Sequence, residues 1–285
     1  MIRISPKKRS SLIKTKQHRS IFEIRTKKVK DMQVEYTRMT DAEWEIIKQF
    51  LNWQRKRKLS LRAVFDAIRY ISKTGMQWRC LKETNFPDWQ AVYYYFESWT
   101  KQGILLKINL ALNELARLKE GREAAPSLGL ADSQSVKLAP MIGEERGLDG
   151  NKKVNGRKRQ ILTDVGGRIY RVHVHAANRH DSPKGVHLLD QEQQGLEKLE
   201  KILADNTYKG TFAKAVEKMG ITFEVPQRPE GTRGFVVEAK RWVVERSFAW
   251  LNFFRRTVID FERTTRNAES FVIIANISRV LSKLT

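Results

Sequence analysis

The sequence predicts an α+β protein in which a small all-α region precedes a mixed β-sheet covered by helices. Apolar residues with helical spacing fill residues 36–122, and strand patterns begin near Ser127. A chain of 285 residues, 41% of them hydrophobic, can build two such cores. We therefore predict a helical domain over residues 36–122 and an α/β domain over residues 123–285, preceded by an arm over residues 1–35.

The charge balance predicts a polyanionic partner. The chain has 54 Lys and Arg against 32 Asp and Glu, a net charge of +22, which favours nucleic acid before an anionic membrane. Cys80 is the single cysteine, so an intramolecular disulfide is excluded and a reducing cytosol fits. No apolar run reaches the length of about 18 residues that a membrane span needs. These features favour a cytoplasmic protein associated with nucleic acid.

The first residues are predicted to form a basic arm without a core of its own. Residues 1–30 contain eleven Lys and Arg and one acid, Glu23, and they show no sustained apolar period. Two interpretations remain open. The arm contacts phosphates, or the start is over-called and Met32 or Met39 is the natural first residue.

Capping signals begin the first two helices. Thr40–Glu43 has the capping-box spacing ahead of an apolar-periodic stretch. Ser60 can cap a second helix, which Gly75 ends. Between these two helices, Gln54–Lys58 forms a basic cluster.

Two further helices complete the predicted all-α domain. Asp88 can cap the third helix, which stops at Gly103, and the fourth ends near Gly121. Their apolar positions are Val92, Tyr95, Phe96, Trp99, Leu105, Ile108, Leu112 and Leu115. Short basic helices ahead of a larger domain are typical of helix-turn-helix DNA binding.

The α/β part is predicted to begin with three strands. Residues 128–136 form the first and carry Asp132, while residues 158–165 and 168–176 flank the hairpin signal Gly166-Gly167. In the third strand Tyr170, Val172, Val174 and Ala176 alternate with polar residues, which predicts that they share one face.

Helices and short strands then alternate. Asp181 can cap a helix with Pro183 in its first turn. The remaining predicted elements are a strand at 201–206, a helix at 208–219, a strand at 221–225 and a long helix at 236–254. Three strands followed by helix, strand, helix, strand and helix is the order of the ribonuclease H-like fold.

Three acids occupy positions that can converge in that fold. Asp132 lies on the first strand, Asp205 at the end of the fourth and Glu245 on the last long helix. Two Mg²⁺ ions held by such carboxylates can activate an attacking oxygen and stabilise the leaving oxygen of a phosphodiester. Each acid also has a plainer interpretation: a structural hydrogen bond for Asp132, a helix cap for Asp205, and a surface pair with Arg241 for Glu245.

The chain resembles the DDE transposases of bacterial insertion sequences, in the group of insertion sequence five, close to that of insertion sequence four. The resembling segments are Thr40–Trp44, Thr74–Arg79, Ala131–Lys137, Asn155–Arg159, Ala177–Ser182, Leu203–Asp205 with Tyr208–Gly210, and Trp242–Leu251. The resemblance implies metal-dependent cleavage at transposon terminal inverted repeats and transfer of the ends into target DNA. It gives Asp132, Asp205 and Glu245 the three acid roles, with Mg²⁺, or Mn²⁺ as a substitute, as the cofactor. It also implies a bacterial, nucleoid-associated protein.

The chain departs from the wider family signature of Tyr, Arg, Glu and Lys around the last acid. Arg241 and Glu245 match, whereas Glu238 stands in the Tyr position and Asn252 in the Lys position. Arg255 or Arg256 could supply the missing cation. The predicted DNA contacts are Lys152, Lys153, Arg157, Lys158, Arg159, Arg241, Arg255 and Arg256.

Three rival functions remain open. A metal nuclease of the same fold would cut without joining. A zinc hydrolase could use His173 and His175 with His180 and Asp181, although Arg171 on the same face is a poor neighbour for a cation. A non-catalytic DNA-binding protein would leave the strand-buried Asp132 unexplained.

Joining two transposon ends predicts at least a homodimer on DNA. No coiled-coil heptads indicate a stable dimer off DNA. The C-terminal apolar stripe is expected to pack on its own domain, and its members are Phe271, Ile274, Ile277, Val280 and Leu281.

Overall fold

The computed structural model describes residues 38–189, 194–226 and 241–285. Residues Met39–Thr285 form one compact unit. The arm predicted for residues 1–35 lies outside the described residues. No helix among those described is long and apolar enough to cross a membrane.

The helical region follows the predicted capping signals. Its helices are α1 (Asp41–Lys48), α2 (Leu61–Thr74), α3 (Trp89–Lys101) and α4 (Ile104–Lys119), with a 3₁₀ helix at Trp78–Glu83. Thr40 and Glu43 make both bonds of the capping box. Ser60 and Asp88 cap α2 and α3 through their side chains. Gly75 ends α2 with a φ of 71°, a conformation that glycine adopts without strain.

The predicted buried face of α4 is wrong at one position. Leu105, Ile108 and Leu112 are buried as expected, but Leu115 is 41% exposed. Ala116, four residues after Leu112, continues the buried stripe instead.

The mixed sheet has six strands. They are β1 (Leu128–Lys137), β2 (Gly147–Asp149), β3 (Val154–Thr163), β4 (Ile169–Ala176), β5 (Lys201–Leu203) and β6 (Thr222–Glu224). The order is β2-β3-β1-β5-β6, and β4 also pairs with β3. Pairing is antiparallel for β1–β3, β2–β3 and β3–β4, and parallel for β1–β5 and β5–β6. The predicted mixed sheet is confirmed, and β2 is an addition to the predicted strands.

Two local predictions are wrong, one in β4 and one at the start of the helix that follows it. The β3–β4 register shifts after Leu162, so Tyr170 has no partner of its own and joins Leu162 in one core cluster. Val172 packs on the other cluster, because a bulge reverses the alternation of side chains. In addition, His180 rather than Asp181 is the N-cap of the next helix, since its Nδ1 accepts a hydrogen bond from Ser182 N–H.

The helices of the second part cover both faces of the sheet. They are α5 (Asp181–Gly185), α6 (Thr211–Lys218), α7 (Arg241–Leu251), α8 (Arg255–Val258) and α9 (Thr265–Leu284). Residues of α1–α4, α7 and α9 share one core cluster with Leu130 of β1 and Leu203 of β5. A second cluster on the opposite face contains Ala131, Ile202, Tyr208 and Phe212.

The C-terminal helix belongs to the first core. The five stripe residues of α9, from Phe271 to Leu281, are at most 1% exposed, as predicted. Three buried asparagines join α4, α9 and β4, because Asn276 donates to Asn109 (2.6 Å) and to Asn113 (3.1 Å). Both α4 asparagines donate to the Ile169 carbonyl. The division of the chain into a DNA-binding domain and a catalytic domain near residue 122 stays a prediction.

A buried arginine fixes the segment between α8 and α9 to the sheet. Arg157 of β3 is 0% exposed. It donates to Asp260 (3.0 Å) and to the Glu262 and Glu144 carbonyls. Arg256 pairs with Glu262 at 2.7 Å. Burial nevertheless raises the pKa of Glu262 above its ordinary value.

We expect Arg157→Gln to destabilise the fold. The substitution leaves Asp260 buried without its cation, which typically costs about 3–5 kcal/mol. Urea denaturation followed by circular dichroism measures the free energy of unfolding. Lys153→Gln, at an exposed position, is the control and should stay within about 0.5 kcal/mol of wild type. A loss below about 1 kcal/mol for Arg157→Gln would contradict the role of this ion pair.

Candidate active site

Two of the three predicted acids become neighbours through the parallel pairing of β1 and β5. Leu130 pairs with Leu203, so Asp132 and Asp205 each lie two residues further in the same direction. Adjacent strands are about 4.8 Å apart, and residues two apart point to the same face. Asp132 and Asp205 therefore lie side by side on the face of Leu130 and Leu203.

Both aspartates are partly exposed and hold local hydrogen bonds. Oδ1 of Asp132 accepts from Ser133 N–H at 2.7 Å. Oδ1 of Asp205 accepts from Thr207 N–H at 2.9 Å and caps the 3₁₀ turn Asn206–Tyr208. The capping interpretation of Asp205 is thus correct, yet it uses only one oxygen. Within the described residues, Oδ2 of Asp205 accepts no hydrogen bond.

Glu245 lies on the helix that covers this face. Val243, Val244 and Phe248 of α7 belong to the same core cluster as Leu130, and Glu245 is exposed. Among the described residues, no three His, Cys, Asp or Glu side chains are grouped closely enough to hold a metal. The strand register therefore makes Asp132 and Asp205 neighbours, and Glu245 lies on the helix that covers the same face.

The donor chemistry fits a hard divalent cation. Asp132 and Asp205 offer carboxylate oxygens at a partly exposed edge, and Mg²⁺ prefers such ligands while keeping waters or substrate phosphate as the others. Glu245 adds a third carboxylate on the covering helix. Such a site needs no sulfur ligand.

The pKa of the buried Tyr208 is sensitive to the carboxylates at this edge of the sheet. Burial, followed by the charges of Asp181, Asp132 and Asp205, holds the pKa of Tyr208 well above its ordinary value. Asp181 also forms an ion pair with Lys158 at 3.1 Å. The only sequence signal for Tyr208 is its place in the resembling segment Tyr208–Gly210.

A series of cation–π contacts joins α7 to α9. Arg246 lies over Trp242 (4.8 Å) and Trp250 (4.7 Å), and Arg279 covers Trp250 at 4.2 Å. Such contacts contribute about 0.5–2 kcal/mol each. These contacts orient the helix that carries Glu245. The spacing of residues along the sequence did not predict them.

Four residues that the sequence predicted as DNA contacts are buried, so the structure does not support that prediction for them. Arg157, Lys158, Arg159 and Arg256 are each at most 8% exposed. Lys158 bonds Asp181 and the Arg179 carbonyl. The physical reason is that β3 is a central strand covered on both faces, so its cations are saturated by protein acceptors.

Arg159 and Arg256 are satisfied in the same way. Arg159 donates to Gln134 Oε1 and to the Thr257 carbonyl, and burial lowers its pKa to about 10. Arg256 pairs with Glu262. Both guanidinium groups are buried against protein acceptors, so we do not expect Arg256 to supply the cation missing at Asn252.

The other predicted contacts stay available. Lys152, Lys153 and Arg255 are exposed, and Lys152 Nζ lies 3.5 Å from the Ser133 carbonyl, beside Asp132. Arg241 begins α7, but its side chain lies outside the described part, as does Glu238.

The histidines of the zinc alternative have other contacts. His173 stacks on His187 at 4.3 Å and lies 3.5 Å from Glu269. His175 is 1% exposed and its Nδ1 bonds the Ala176 carbonyl. His180 caps α5. Burial lowers the pKa of His175 to about 4.

Two family models match the chain. Residues 123–281 match the family described as the transposase DDE domain, and residues 39–109 match the family described as a transposase of the IS4/5 family. Among solved structures, the chain is similar to the catalytic core domain of BIV integrase in crystal form I, with a TM-score of 0.34 and 15% identity over 54% of this chain and 83% of that chain. No curated protein matches the chain.

We expect His175 to make stability fall in mild acid. Because its folded pKa of about 4 lies below the usual 6.5, only the unfolded chain binds this proton between those values. Stability is therefore full above pH 6.5 and decreases toward pH 4, by up to about 2 kcal/mol at pH 5. Urea midpoints at pH 7.5 and pH 5 measure this decrease, which His175→Gln should reduce. An equal decrease in both proteins would assign the pH dependence to other groups.

Proposed function

The chain belongs to the DDE transposases of the IS4/5 family, and we propose that it cleaves DNA at the terminal inverted repeats of its element and transfers the ends into target DNA. Asp132, Asp205 and Glu245 are the proposed catalytic acids. The observation that supports this assignment is the parallel register of β1 and β5, which makes the two aspartates neighbours under α7.

The family is generally dependent on divalent metal. When bound, two Mg²⁺ ions, or Mn²⁺ in their place, supply Lewis-acid activation of the attacking oxygen and stabilisation of the leaving oxygen. Asp132 and Asp205 would hold this metal with hard oxygens, and Glu245 would complete the set from α7. Tyr208, kept neutral by burial, adds no charge that competes with the carboxylates.

The exposed cations around this edge position the DNA in our proposal. Lys152 and Lys153 lie on the loop before β3 beside Asp132, and Arg255 follows α7. Arg241 is one helical turn before Glu245, a spacing suited to holding the scissile strand. Phosphate contacts of this kind give affinity without reading sequence. We propose the bacterial cytoplasm, in contact with nucleoid DNA, as the place of action.

We expect each of Asp132→Asn, Asp205→Asn and Glu245→Gln to abolish cleavage and joining in the presence of Mg²⁺ or Mn²⁺. Each change removes a metal-binding charge, so rates should fall by about 10²-fold or more, while binding of end DNA stays nearly intact. Glu217→Gln, at an exposed site on α6, is the matched control. If two of the three variants cleave at the wild-type rate, the assignment is wrong. Joined products in the same assay separate a transposase from a nuclease that only cuts.

We also expect at least two protomers in the joining complex, because two transposon ends must be held together. The stripe of α9 is buried in its own core, so other surfaces must make the contact. Light scattering with and without end DNA measures the mass of the complex. A complex of one protein and one end that is active in joining would refute the dimer.

A further inference from the structure

A polar groove of about 580 Å³ lies in the helical region, away from the acids. One wall is the loop between α1 and α2, with Arg55, Lys56 and Lys58. The other wall is one face of α3 and its C-cap, formed by Tyr94, Ser98 and Gln102 at intervals of four residues. This volume is far larger than a single ion needs.

The loop wall carries positive charge that no carboxylate among the described residues neutralises. Residues 55–58 are four consecutive cations. Arg55, Lys56 and Lys58 are exposed, and within the described residues they make no ion pair. Arg57 instead donates to the Asn52 and Arg55 carbonyls and so holds the loop in shape. Three unpaired cations on a fixed loop would attract a polyanion.

The α3 wall contributes an aromatic ring and amide and hydroxyl groups. Tyr94 is 67% exposed, whereas Trp99 at the floor is 5% exposed. Gln102 Nε2 donates to Ser98 Oγ at 2.7 Å, which orders this wall. A cationic groove beside an exposed aromatic ring is the combination that binds single-stranded nucleic acid, because an unpaired base offers a free face for stacking. The bases of a duplex are already stacked on one another.

We propose that this groove binds a single DNA strand, with phosphates on Arg55, Lys56 and Lys58 and one base stacked on Tyr94. The choice of DNA rests on the proposed function. The site itself is separate from the three acids, and it would hold a strand that has come unpaired near a cleaved end.

The test is fluorescence anisotropy with full-length protein, a labelled 20-nucleotide strand and its duplex, in EDTA over a salt series. For the single strand, Arg55→Gln/Lys56→Gln/Lys58→Gln should lower the log–log salt slope by about 2, since each lost contact removes about 0.7. Tyr94→Ala should weaken binding by about 5- to 100-fold, and Tyr94→Phe should restore it. Lys214→Gln/Lys218→Gln/Arg266→Gln removes equal charge from exposed positions elsewhere and should leave the slope nearly unchanged.

Three results would overturn the proposal. They are a Tyr94→Ala protein that binds the strand as wild type does, an equal loss of slope in the control triple variant, and a duplex that loses as much affinity as the strand. The assay contains no metal and measures no cleavage, so its result does not depend on the assignment of the three acids. Failure of the catalytic assignment is therefore distinguishable from failure of the groove.

Discussion

The register between β1 and β5 is the constraint on which the candidate site depends. A slip of one residue would move every side chain of a strand to the opposite face. Leu130 and Leu203 are buried on one side of the sheet, and Ala131 and Ile202 on the other, so a slip would expose or misplace apolar groups on both. The packing of these four apolar side chains thus sets the register that makes Asp132 and Asp205 neighbours.

The same two-sided burial explains why β3 carries cations that never reach solvent. A run such as Arg157–Arg159 in a sequence suggests a DNA-binding surface. The loop at Glu144 and Asp260 cover Arg157, and Asp181 binds Lys158 on the other face. Once covered, each cation requires acceptors, and the chain supplies them from distant positions. The positive charges of Arg157 and Arg159 stabilise the attachment of the C-terminal segment to the sheet instead of binding DNA.

Local signals were enough to predict most elements. The caps at Thr40 and Ser60 depend on residues within one turn, and the strand carrying Asp132 shows its own pattern, so both were predicted from the sequence. The bulge at Tyr170, the partners of Arg157 and the stacking of Trp250 on Arg279 depend on contacts between residues far apart in the chain. No spacing rule encodes such contacts, and for the same reason Glu245 could be assigned to a helix but not to a distance from Asp132.

The asparagine cluster of Asn109, Asn113 and Asn276 has a mechanical consequence. Its buried amides join α4 to α9 and bond the first residue of β4, and sliding these elements apart would break several hydrogen bonds at once in a site without water to replace them. The cluster therefore resists sliding of α4 and α9 along the sheet that carries the aspartates. If the chain acts on DNA as proposed, the DNA would have to bend to fit this part of the protein surface.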